Sequence, residues 1–177
     1  MPRTEPRGAG STRRTPVPLL VAALLLLVAR VATGLYEERH PARVPDLVRW
    51  RPIEDATAEA RQARKPLLYD FTADWCVPCQ AMQREVFADR ASAERIERMF
   101  VPVRLLDRRR EEGRNPAAVD SLQARYDITS FPTLVVAWPD SGRPVVLAGY
   151  RGQTNTMQQL TESRMQRLGG RATFGFH

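Results

Sequence analysis

Residues Tyr69–Met82 read YDFTADWCVPCQAM. A short apolar run gives way to two cysteines three residues apart, behind a tryptophan and around a proline. They are the only cysteines among 177 residues, a closeness that random placement would rarely produce. Cysteines at i and i+3 on a helix share a face, near enough for a disulfide to form and open. With Cys76 at a helix N-cap, the unsatisfied amides and the positive end of the dipole favour thiolate over thiol. Lowering a thiol pKa by one to two units corresponds to about 1.4–2.7 kcal/mol of preference for the thiolate. The spacing predicts Cys76 as a nucleophile that captures a partner sulfur and Cys79, a turn deeper, as the thiol that releases it. Pro78 has no amide hydrogen to lose in the first turn, and its fixed φ stiffens the loop. The spacing serves reversible sulfur chemistry.

Other uses of two cysteines are weaker. A zinc site needs four ligands, and the further candidates His40 and His177 fall in a linker and a tail. Covalent haem attachment needs histidine after the second cysteine, where this chain has Gln80. A purely structural bridge would constrain the unfolded chain little across so short a loop. No metal and no cofactor is expected.

Outward from the motif, Ile53–Arg64 is alanine-rich with acids early and arginine late, in line with a helix dipole. PLLYDFT (Pro66–Thr72) reads as a buried strand, and the helix opened by the cysteines is expected to run to Phe87. Ala91–Met99 predicts a short helix with Ile96 and Met99 inward. Phe100–Leu106 predicts a strand, followed by a charged loop around Arg108. Asn115 and Pro116 read as cap and first turn of a helix carrying Val119, Leu122 and Tyr126 on one face. Pro132–Trp138 and Arg143–Tyr150 read as antiparallel strands about a PDSG turn. Thr156–Leu168 reads as the final helix, and residues 169–177 as a tail. The order predicts an α/β domain over residues 53–168, a mixed sheet covered by helices on both faces.

Before it, Arg3, Arg7, Arg13 and Arg14 precede the apolar run Val17–Ala29, the pattern of an export signal. Extended through Arg30 to Tyr36, the run reaches about twenty residues, enough to cross a bilayer. Residues 1–36 are therefore read as a signal-anchor, with the N-terminus held in the cytoplasm and the rest exported. Cleavage near Gly34, leaving a soluble exported protein, is the alternative. Residues 37–52 are charged, proline-punctuated and aperiodic, and read as a linker. The net charge of +7 comes from 26 arginines and one lysine dispersed among acids. The one basic run, Arg108–Arg110, is followed at once by Glu111 and Glu112 and reads as a solvated loop. No aromatic residues interleave with it, and no nucleic-acid partner is expected.

The stretch YDFTADWCVPCQAM with SFPTLVVAW (Ser130–Trp138) resembles the thioredoxin superfamily. DFTADWC, the following REVFAD (Arg84–Asp89) and the helix before KPLL are most similar to the C-terminal periplasmic domain of DsbD-type thiol–disulfide interchange proteins. The resemblance covers about residues 53–168 and implies the thioredoxin fold, a central mixed sheet flanked by helices. It also implies roles for single residues. Asp70 matches the buried acid beneath the active site. Its carboxyl, desolvated by Leu68 and Phe71, should have a raised pKa and take the proton of Cys79; the alternative is a solvated strand-end aspartate. Pro132 matches the cis-proline packed on the disulfide, with the Phe131 backbone free to pair with an extended substrate; the alternative is an ordinary trans proline opening a strand. Trp75 matches the aromatic before the first cysteine; the alternative is a core tryptophan, and the two are compatible. The strand lysine that faces the buried acid in many thioredoxins has no clear counterpart in VPVRLLD (Val101–Asp107).

The expectation is a thiol–disulfide oxidoreductase of the cell envelope that reduces disulfides in exported proteins. DsbD-type proteins carry a multi-helix electron-conducting membrane domain, and this chain has room for one span. Its electrons are expected from a separate membrane thiol donor. Two rivals stand beside this reading: a reductant dedicated to cytochrome c maturation, and a binding or assembly module with dispensable cysteines.

Overall fold

Strand β1, Leu67–Ala73, is buried along nearly its whole length, as a strand covered on both faces must be. Its alternate side chains enter two separate cores. Leu67, Tyr69 and Phe71 pack with Ala56, Ala60, Val103, Leu105 and Val135. Leu68 points the other way, among Met82, Val86, Phe87, Ile96, Phe100, Leu134 and Leu160. Burying a side chain such as Phe71, Phe87 or Phe100 in this way stabilises the fold by roughly 1.5–3 kcal/mol.

These are the coordinates of a computed structural model, which describes residues 17–39, 44–140 and 142–172. Helix α1 spans Val17–Arg39 and α2 Ile53–Ala63; β1 is followed by α3, Val77–Met82. Next come α4 (Arg90–Met99), β2 (Val101–Asp107), α5 (Arg109–Glu112), α6 (Ala117–Arg125), β3 (Thr133–Ala137), β4 (Val145–Ala148) and α7 (Gln153–Ala172). The sheet order is β2-β1-β3-β4. β2 runs parallel to β1, whereas β3 pairs antiparallel with both β1 and β4. The sheet is mixed, as the element order predicted. Helices α2 and α6 cover one face, and α3, α4 and α7 the other.

Besides α7, which starts at Gln153 and runs to Ala172, into the expected tail, four local features differ from the sequence reading. The helix after the cysteines does not stay α to Phe87: Gln83–Phe87 is π-helical. The wider turn brings Val86 and the adjacent Phe87 into the core together. The loop around Arg108 contains the helical turn α5. Asn115 does not cap α6, whose N-cap is Pro116 with no side-chain bond. Its amide is used elsewhere: Nδ2 donates to Asp107 Oδ2 at 2.7 Å, and Oδ1 accepts from the Arg108 amide at 2.6 Å. Lastly, the compact C-terminal unit begins at Val44, not at Ile53. Val48 is buried in the core, and the Leu47 and Arg51 amides donate to Phe87 O and Pro102 O at 3.0 and 2.8 Å. No periodicity signals this, because the anchors of residues 44–52 are one buried side chain and two backbone amides.

Helix α1 belongs to a unit separate from the one that begins at Val44. Within α1, Pro18–Leu35 is long and apolar enough to cross a membrane, a property that an N-terminal signal sequence shares. Thr33 Oγ1 donates to Arg30 O at 2.9 Å. Residues 173–177, the end of the expected tail, lie outside the described residues.

Candidate functional site

β1 ends at Ala73, and the chain turns tightly, the Cys76 amide donating to Ala73 O at 3.1 Å. Cys76 has extended dihedrals and caps α3, with Pro78 in the first turn. Gln80 Nε2 donates to Asp74 O at 2.8 Å and ties the turn to the helix. Cys76 and Cys79 are joined in a disulfide with their Cα atoms 5.2 Å apart. The Cys79 amide donates to Cys76 Sγ at 3.2 Å, a contact that would favour charge on that sulfur once the bond is reduced. Both cysteines are buried, at 2% and 4% exposure, in a small cluster with Ala73 and Phe131. Sequence reasoning placed only Cys79 deep, because spacing says nothing of what lies across the motif.

What lies across it is the Phe131–Pro132 bond, which is cis. Pro132 O accepts from the Gly149 amide at 2.8 Å, so its carbonyl is committed to the sheet. Trp75 is 44% exposed and Val77 71%, leaving apolar surface at the rim. The Trp75 and Phe131 rings meet edge to face, with centroids 6.1 Å apart. The Arg108–Arg110 run is divided among three partners. Arg108 pairs with Glu112 and Arg109 with Asp120, whereas the Arg110 guanidinium lies 5.4 Å from the Trp75 ring centre. That last contact joins residues 35 positions apart in sequence, and nothing local signals it.

Beneath the motif, Asp70 is 1% exposed. It lies opposite Arg104 in the β1–β2 register, and Arg104 Nε donates to Asp70 Oδ2 at 3.0 Å. The expectation that the strand lysine has no clear counterpart in VPVRLLD is therefore corrected: Arg104 takes that place. Its longer, forked head also reaches Gln83 Oε1 at 2.7 Å and Asp46 Oδ2 and lies 4.1 Å over the Trp50 ring. Burial pushes the Asp70 carboxyl above the usual carboxylate range; Arg104 pulls it down and Asp46 raises it again. Asp70 Oδ1 is buried without a hydrogen-bond partner, which is costly for an ionised carboxylate and tolerable for a protonated one.

The sequence matches the family described as Thioredoxin-like domain over residues 53–163. The chain belongs to that family. As a thioredoxin-like domain it is 33% identical, over 100 residues, to the thiol:disulfide interchange protein DsbD of Vibrio vulnificus. That match covers 56% of this chain and 16% of the relative, so the chain spans about a sixth of the curated relatives' length. Among solved structures, the DsbH oxidoreductase superposes with a TM-score of 0.59 at 20% identity, covering 71% of this chain and 90% of that one. A thioredoxin from Thermus thermophilus gives 0.52 at 22% identity, covering 65% and 85%. At these identities the structural likenesses concern the fold.

In this thioredoxin-like domain the six residues singled out from sequence divide into two groups. Cys76, Cys79 and Phe131 share one cluster, Trp75 meets the Phe131 ring at its rim, and Pro132 follows Phe131 through a cis peptide. Asp70 sits lower on β1. Leu68, two positions before it, faces Met82 and Val86, and a strand repeats every two residues, so Asp70 faces the α3 side of the sheet. Its raised pKa has a testable consequence for stability. Above the unfolded carboxylate value the folded protein holds a proton that the unfolded chain has lost. Stability therefore falls as pH rises through the window up to the folded value. Asp70→Asn carries no such proton, so the unfolding free energy of the variant relative to wild type should rise between pH 4 and pH 8. Urea unfolding at the two pH values measures it, and a pH-independent difference would show Asp70 unperturbed.

Proposed function

We propose that this thioredoxin-like protein is a thiol–disulfide oxidoreductase of the cell envelope that reduces disulfides in exported proteins. The observation that carries the reading is the Cys76–Cys79 pair, bonded across the first turn of α3 with a backbone amide aimed at Cys76 Sγ.

In the reduced form the Cys76 thiolate attacks a substrate disulfide. One substrate sulfur leaves as thiolate and the other is held on Cys76 as a mixed disulfide. Cys79 then gives its proton to Asp70 and attacks Cys76 Sγ, releasing the second substrate thiolate and closing the internal disulfide. Two electrons pass to the substrate, and a separate membrane thiol donor restores the dithiol. Phe131, with Pro132 behind it, offers backbone to an extended substrate segment, and Trp75 and Val77 offer the apolar rim. The apolar helix α1 supports attachment to the inner membrane, with the domain on the periplasmic side.

The test is the reduction potential of the full chain, equilibrated in detergent against glutathione buffers. A value near the −270 mV of thioredoxin suits a reductant, and one near −120 mV would make the protein an oxidant instead.

A further inference from the structure

Residues 44–52 look like a spacer in sequence, yet they bring a second carboxylate to the acid beneath the disulfide. Asp46 Oδ2 accepts from Trp50 Nε1 at 2.7 Å and is paired with Arg104. Trp50 in turn stands edge to face on Phe87, with ring centroids 5.0 Å apart, and its indole supports the Arg104 guanidinium. One cation is thus shared between two carboxylates in unlike surroundings. The Asp70 side chain is 1% exposed and that of Asp46 31%. The other charges of the segment are matched by acids of the domain, Arg49 by Glu97 and Arg51 by Glu59. Gln83, the remaining partner of Arg104, is neutral.

We propose that Asp46 is a positioning residue for the disulfide site: by drawing the Arg104 guanidinium toward the surface, it limits how far that charge favours the ionised form of Asp70. The inference rests on the reading of Asp70 as the proton acceptor for Cys79. Arginine does not give up its proton at accessible pH, so the coupling runs through charge, with no proton passing along the chain of groups. Asp46 has the sign this requires, since it acts on Asp70 against Arg104. With Asp46 neutralised, Asp70 would be the one carboxylate left on Arg104 among the described residues, and it would become a stronger acid and a weaker base. The acceptor would then be ionised to lower pH but would pull less hard on the Cys79 proton. Two effects of opposite direction follow, one on each limb of the pH profile.

The experiment follows resolution in a single turnover. The full chain in detergent is reduced, Cys76 is loaded as a mixed disulfide with thionitrobenzoate, and release of the coloured thiolate is timed from pH 4 to pH 9. In Asp46→Asn the rate should rise several-fold on the acid limb and fall on the alkaline plateau, so that the profile crosses that of wild type. Asp46→Glu should restore the wild-type order. A folded Asp46→Asn whose profile keeps its shape, scaled up or down as a whole, would overturn the inference. If that variant does not fold, Asp46→Ser gives up the same charge at smaller volume and is read identically. Asp70→Asn separates the two claims. If it leaves the acid limb in place, the proton-acceptor reading fails. If it removes the limb while Asp46→Asn does not move it, only the role of Asp46 fails.

Discussion

Cys79→Ser is expected to stop the exchange cycle halfway, with substrate sulfur held on Cys76. Serine keeps the size of the side chain but cannot displace sulfur at neutral pH, so the mixed disulfide loses its fast exit. Treating cells that carry the variant with acid and a thiol-blocking reagent should reveal adducts on non-reducing gels, released by dithiothreitol and absent from a Cys76→Ser/Cys79→Ser pair. Cys76→Ser alone should slow reduction of a disulfide substrate by on the order of a thousandfold or more, the scale seen when a nucleophile is deleted. The result is demanding because Cys76 is 2% exposed in the disulfide form. The sulfur is covered by Phe131 and rimmed by Trp75, so capture requires that cover to part in the reduced protein. Absence of adducts on both purified and native substrates would mean that the cover stays closed. Full complementation by Cys76→Ala/Cys79→Ala would favour a binding module instead.

The legible parts of this molecule are the ones with period or fixed spacing. Two cysteines at i and i+3 behind a strand identify the site because the chemistry allows few other arrangements, and apolar runs such as Leu67–Phe71 locate the central strand by burial on both faces. The order of elements then gives a mixed sheet, since only β3 and β4 are joined closely enough for a hairpin. Contacts made by single side chains across long separations stay hidden. Arg104 was visible as a residue of β2, but its pairing depends on the register that sets it opposite Asp70. The same holds for Arg110 on Trp75 and for Asn115, whose place before a proline suggests a cap. Its amide is instead used on Asp107, beside Gln123 Nε2, which donates to the same oxygen at 2.9 Å. Residues 44–52 read as a linker because they are aperiodic and proline-punctuated, whereas Asp46, Arg49 and Arg51 each have a partner on the domain.

Arg104→Met should destabilise the fold by about 3 kcal/mol at pH 8, the lower end of the cost of removing one member of a buried ion pair, and by much less at pH 5. Methionine keeps an apolar stem but removes the guanidinium that lies over Trp50 and Phe87, so the pH dependence of the loss is what separates charge from packing. Without the guanidinium, nothing among the described residues offsets the burial of Asp70, whose Oδ1 already lacks a partner. The carboxyl would then hold its proton to still higher pH than in wild type, where burial already raises it. The folded state would bind more protons than the unfolded chain across a wider window, and stability would fall more steeply as pH rises. Protonation caps the loss, which is why acid conditions should spare the variant. Urea unfolding at pH 5 and pH 8, extrapolated linearly, separates this account from its competitor: an equal loss at both pH values would assign the effect to packing on Trp50. Combining Arg104→Met with Asp70→Asn should recover most of the loss at pH 8, because no buried charge is then left to strand. If the double variant is as unstable as the sum of the singles, the two residues do not act as a pair.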